Sequence, residues 1–93
     1  MKTSTRIAAT AALKIALAPA LRDQQQKALA EMVLAASTRF DWRTIATTAM
    51  SRRRLDVAAI ALAMVADDFA MAAALVSAAD SHSGAKLAAI LAA

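Results

Sequence analysis

His82 is the one histidine in the chain, and it sits in the run Asp80-Ser81-His82-Ser83. By type, those residues hold the ingredients of a hydrolytic triad: a hydroxyl nucleophile, an imidazole base and a carboxylate to orient it. Neighbours in one short turn do not reach that geometry, and no G-x-S-x-G elbow presents either serine. We read His82 as a solvated turn residue. Asp67 and Asp68 are adjacent carboxylates that could form an acid pair or a foothold for a cation. A divalent site needs several converging oxygens, and no nearby carboxylate has the spacing to join them. Helix capping is the expected role of this pair. The chain has no cysteine, so it has no thiolate nucleophile, no disulfide and no Cys-based zinc site. It has no Gly-rich phosphate loop and no H-E-x-x-H. The sequence therefore points away from an enzyme, and it implies no cofactor and no metal.

One constellation is left. Arg43, Thr44, Thr47, Thr48 and Ser51 recur at helical spacing, and Arg52-Arg53-Arg54 follows them. The candidate partner-binding residues are Arg43, Thr47, Arg52, Arg53 and Arg54. Cations and hydroxyls on one face could steer the chain toward an acidic protein surface, or contact the phosphates of a nucleic acid. A helix-turn-helix would lay such a face in a major groove. No short glycine-containing turn precedes it here, and no aromatic platform is present for single strands.

These residues need helices to hold them. Alanine accounts for 29 of the 93 residues, with one Gly, one Pro and no Tyr. Alanine has the highest helix propensity, whereas sheets want β-branched and aromatic residues. The fold class is all-α: a compact bundle of about five to six short helices in a single domain, residues 1–93. Small side chains let helix axes approach closely but bury little area each. Such a core is expected to be modestly stable alone and to gain from a partner.

The stretch that organises the rest is Leu55 to Ala79. Val57, Ile60, Ala61 and Met64 form one apolar stripe, and Leu55, Ala58, Leu62 and Val65 form another. A helix apolar on two faces is expected to be buried. Asp67 and Asp68 then predict a turn near Ala66–Asp68 and a new helix to about Ala79, the alternative being one unbroken helix of 25 residues. Phe69, Ala72, Ala73 and Val76 line one side of that last helix, and Met71, Leu75 and Ala78 the other. Ile60, Leu62, Met64, Phe69 and Leu75 are the expected core. Two aspartates at the centre argue against a membrane span, since each costs roughly 2.5–3.5 kcal/mol there.

Residues 1–37 read as a basic helical hairpin, 38–41 as a linker and 42–91 as an apolar helical core. The first helix is expected to be capped by Ser4 or Thr5 and to end before Pro19. Residues 1–22, basic and without acids, also fit a transit-like or secretory segment, although Lys14 interrupts the apolar run. The second helix spans Ala20 to Ser37, with Lys27 and Glu31 as an i,i+4 pair. Asp41 is the expected N-cap of a third helix from Trp42 to about Arg52, whose buried stripe would be Trp42, Ile45, Ala46, Ala49 and Met50. Asp80–Gly84 is a turn before a last helix, Ala85 to Leu91. The succession of short helices with tight polar breaks from Trp42 to Leu91 is similar in style to the helical hairpins of α-solenoids.

The charge is split. Residues 1–54 carry ten Lys/Arg against three acids, a net of +7, and residues 55–93 carry one Lys against four Asp, a net of −3. A non-catalytic helical module follows as the expectation: an adaptor, assembly subunit or protein inhibitor docking on a larger protein with an acidic or apolar surface, or on a second copy. The alternative is a small basic nucleic-acid-binding protein using Arg43 and Arg52–Arg54. The lack of cysteine fits the cytoplasm, or an organelle matrix if residues 1–22 act as a transit segment.

Overall fold

The structure, a computed structural model, describes residues 2–79. The alanine-rich segments form five helices: α1 (Lys2–Asp23), α2 (Lys27–Ala35), α3 (Arg39–Ser51), α4 (Leu55–Val65) and α5 (Phe69–Ala79). No strand occurs among the described residues. The all-α bundle expected from composition is the observed fold. The turn at Asp80–Gly84, His82 and the Ala85–Leu91 helix lie outside the described residues.

Each helix packs on its neighbours in the chain, and α1 also reaches α5, so the row of hairpins closes on itself. Trp42, Leu13, Leu21, Leu29, Ile45, Ile60 and Met64 are the large side chains fully buried at the centre. Alanines from every helix fill the spaces between them, as the short reach of a methyl group requires for helices in close contact.

Three of the four connections use one device. Gln25, Arg53 and Asp67 each adopt a left-handed conformation, with φ of 62°, 60° and 57°. Around Gln25, Gln26 N–H donates to Leu21 C=O and Gln25 N–H to Arg22 C=O. Arg54 to Ala49 with Arg53 to Met50, and Asp68 to Ala63 with Asp67 to Met64, repeat the pattern. These are Schellman closures, which satisfy the last carbonyls of a helix and reverse the chain within three residues. Glycine usually fills the left-handed position, and none is used at these turns.

The first break corrects the expected boundary. Pro19 lies inside α1, and the turn falls at Gln24–Gln26. Proline removes one helical hydrogen bond, but Pro19 is exposed, where water can meet the carbonyl left over. Ala18 and Leu21, buried on either side of it, tie the helix across the proline. Packing outweighs local propensity here. Along α1, Leu13 is buried while Ile7 and Ile15 face out. Glu31 pairs across the α1–α2 hairpin with Arg22 at 3.8 Å, and no pair with Lys27 forms.

The second correction concerns α4. Val57, Ile60, Ala61 and Met64 are buried as expected, but Leu62 is 52% exposed and Leu55 68% exposed. Helix α4 packs against α3 and α5. Those two neighbours cover the Val57–Met64 stripe and Ala58, leaving Leu55 and Leu62 to solvent. Leu75 is only partly buried against the core. Ile60, Met64 and Phe69 are core residues; Leu62 is a surface residue.

Candidate functional site

Helix α3 begins earlier than the linker at 38–41 allowed. Thr38 is the N-cap: Asp41 N–H donates to Thr38 Oγ1 at 3.3 Å, and Thr38 N–H donates back to Asp41 Oδ2 at 3.0 Å. The Thr-x-x-Asp pattern is a capping box with Asp in place of the usual Glu. Ser37 adds donations from its N–H at 2.9 Å and its hydroxyl at 3.2 Å to the same carboxylate oxygen. These bonds, the Thr38 N–H first, hold the Asp41 carboxyl below the usual carboxylate range. Asp41 thus serves as the third helical residue of α3, in place of the expected N-cap.

The box fixes where α3 begins, and burial of its apolar stripe fixes which way it rolls. Trp42, Ile45, Ala46 and Ala49 turn inward and are buried. Phe40, Arg43, Thr44, Thr47, Met50 and Ser51 turn outward, within about a third of the helix circumference at about 100° per residue. Phe40 is 76% exposed and Met50 56% exposed. Met50 therefore leaves the stripe assigned to it. Phe40 and Met50 are the surface residues that periodicity alone misses. The signal for Phe40 was present in Thr38-x-x-Asp41, because a cap at Thr38 places Phe40 in the first turn.

The five candidate residues separate into two groups. Arg43, Thr47, Arg52 and Arg53 are exposed. The three arginines make no ion pair among the described residues. Arg54 is engaged within the fold: its Nε donates to Asp56 Oδ1 at 3.1 Å and its Nη2 to Asp56 Oδ2 at 2.9 Å and Gln24 Oε1 at 2.6 Å. The bidentate pair lowers the Asp56 pKa, and hydrogen bonding to Asp56 raises that of Arg54. Arg54 thereby ties the α3–α4 turn to the end of α1. Three of the four hydroxyls are committed as well. Thr44 Oγ1 donates to Phe40 C=O at 3.0 Å, Thr47 Oγ1 to Arg43 C=O at 3.1 Å and Ser51 Oγ to Thr48 C=O at 2.7 Å.

The two aspartates also divide. Asp68 caps α5, accepting from Met71 N–H at 3.1 Å. Asp67 has its side chain 3% exposed and is paired by Arg6 of α1 and Arg39 of α3. The Arg6 hydrogen bond first, and then Arg39, hold the Asp67 carboxyl below its ordinary range. This carboxylate clasps three segments of the fold. No group of three or more His, Cys, Asp or Glu converges among the described residues.

A cleft of about 100 Å³ lies between α1, α4 and α5, lined by Leu17, Leu21, Ile60 and Val76 with Gln24, Arg54 and Asp56 beside them. Those polar groups bond one another. No described helix is long and apolar enough to cross a membrane. No protein-family model, curated protein or solved structure matches the chain.

Proposed function

We propose that this protein is a non-catalytic helical interaction module that docks on a larger protein through the outward face of α3. The observation that carries this is the composition of that face: exposed Phe40 and Met50 share it with Arg43, and the exposed Arg52 and Arg53 follow in the turn at its C-terminal end, with no acid in the exposed set. Aromatic residues, Met and Arg are the types enriched at protein interfaces and at their hot spots. The fitting partner presents apolar pockets within an acidic surround. An adaptor, an assembly subunit or a protein inhibitor would each use such a face. The lack of cysteine fits a reducing compartment such as the cytoplasm.

The exposed arginines also favour nucleic acid as a second reading. It is the weaker one because phosphate oxygens need donors. The hydroxyl hydrogens of Thr44, Thr47 and Ser51 go to their own helix, so of the face's hydroxyls only that of Thr48 is left to donate beside the guanidinium groups.

The test is affinity capture from the native host with wild type and with Phe40→Ala/Arg43→Glu, followed by titration of the purified partner. Loss of binding by the variant supports the α3 face, and equal binding overturns it. Tight, steeply salt-dependent binding of wild type to duplex DNA or RNA, with no protein partner, favours the second reading.

A further inference from the structure

Helix α4 carries a second outward surface, independent of α3's. Leu55, Ala59, Leu62 and Ala66 follow one another at spacings of 4, 3 and 4, the period of a coiled-coil seam. Leu55, Leu62 and Ala66 are exposed and Ala59 is half-buried. From Val57 to Ala66 the chain has no charged or polar residue. The strip runs about 16 Å, the length of α4 at about 1.5 Å per residue. An uncharged helix face of this kind marks an association surface.

The strip is self-complementary about its own midpoint, between Ile60 and Ala61. Reversing it end for end sets Leu55 opposite Ala66 and Ala59 opposite Leu62. Each level then joins a large side chain to a small one, which lets two seams interdigitate and the axes come close. The same reversal brings the turn that holds Arg53, two residues before the strip, to the end where the other copy's Asp68 lies, two residues after it. Arg53 makes no ion pair among the described residues. Asp68 uses one oxygen, Oδ1, to cap α5, and its other oxygen is turned to no bond among them. A closed two-fold interface requires this reciprocity, in which one residue meets a second and the second meets the first.

We propose that two copies of this chain associate through antiparallel pairing of their α4 strips, Leu against Ala at each level and Arg53 against Asp68 at both ends. The proposal does not depend on the α3 docking face, which the dimer does not need.

Sedimentation equilibrium on the full chain over a wide concentration range tests the stoichiometry. A reversible dimer is expected. Leu62→Glu should weaken it about tenfold or more with an unchanged far-ultraviolet circular dichroism spectrum, since Leu62 is already half exposed. Leu55→Glu serves the same purpose should Leu62→Glu lose helicity. Register is read by disulfide trapping, which the absence of native cysteine makes clean. Mixing Ala59→Cys and Leu62→Cys chains should give a cross-linked heterodimer under mild oxidation, because opposed positions bring the Cα atoms within disulfide range. Leu55→Cys alone should not cross-link, since its two copies would lie at opposite ends of the interface. A wild type that stays monomeric, or that binds lipid vesicles as a monomer, overturns the proposal. So does a dimer indifferent to both glutamate variants, or efficient Leu55→Cys self-cross-linking, which signals parallel pairing.

Discussion

Arg6 Nε donates to Asp67 Oδ1 at 3.1 Å across 61 residues of sequence. This contact, with the Arg39 pair on the other oxygen, fastens the start of α1 and the start of α3 to the α4–α5 turn. The folded-state pKa of Asp67 is depressed, so its contribution to stability is present above the unfolded value and is lost as pH falls through the depressed folded value. Asp67→Asn keeps a residue that tolerates the left-handed backbone and removes the charge. Its melting temperature should lie below that of wild type at neutral pH and converge with it on acidification below the ordinary aspartate range. Melting curves for both proteins at a series of pH values check this; parallel curves at all pH would show that the clasp adds nothing.

The left-handed turns give a contrasting prediction. A non-glycine residue there costs about 1–2 kcal/mol, partly offset by the entropy glycine loses on folding. Gln25→Gly should therefore stabilise the fold by about 0.5–1 kcal/mol. Asp67→Gly relieves the same backbone cost but loses both arginine pairs, and should destabilise. Urea midpoints at one fixed protein concentration will rank them, and a stabilised Asp67→Gly would contradict the clasp.

How much of this was legible beforehand divides by physical cause. The all-α class, the inward stripes of α3 without Met50 and of α4 and α5, and the turn at Ala66–Asp68 follow from composition and period. Period reports a helix's own geometry, not how many neighbours it will have. Leu55 and Leu62 have the spacing of a buried stripe, and only the packing of α3 and α5 shows that they stay exposed among the described residues. Pro19 misled for the opposite reason, because its local cost is overridden by tertiary contacts. The Gln24–Gln26 turn had no glycine to announce it. At the candidate site, the exposed arginines were visible as a run. The diversion of Arg54 to Asp56, and of Arg39 to Asp67, depends on which turns meet in space.

The corrected core makes its own prediction. Ile60 is 2% exposed in the hydrophobic core, beside Leu21 of α1 and Val76 of α5. Ile60→Ala should cost about 2–5 kcal/mol. Leu62→Ala, measured at concentrations too low for association, should cost less than about 1 kcal/mol. Denaturant titrations of the two variants separate core from surface; equal losses would return Leu62 to the core.

The capping box at the start of α3 places Phe40 in the first turn of the proposed docking face, which in this proposal ties binding to stability. Thr38→Ala removes the oxygen that accepts Asp41 N–H and should cost about 0.5–2 kcal/mol. Thr38→Ser preserves the acceptor and should cost little. Thermal melts of the pair give the answer. If Thr38→Ala also weakens partner binding in proportion to fraying of the first turn, Phe40 is confirmed as a contact that needs the cap.

The proposed docking surface offers two kinds of contact that a kinetic experiment can tell apart. Charges act at a distance, so reversing Arg52 and Arg53 to Glu should slow association with an acidic partner and flatten its salt dependence, leaving dissociation nearly unchanged. Folding should barely alter, because exposed charges contribute little to stability. Phe40 acts only in contact, so Phe40→Ala should speed dissociation and leave the association rate and its salt dependence in place. Surface plasmon resonance at two ionic strengths resolves both rates. Should both variants change only the dissociation rate, the arginines act as buried contacts; should neither change any rate, the partner binds elsewhere on the bundle.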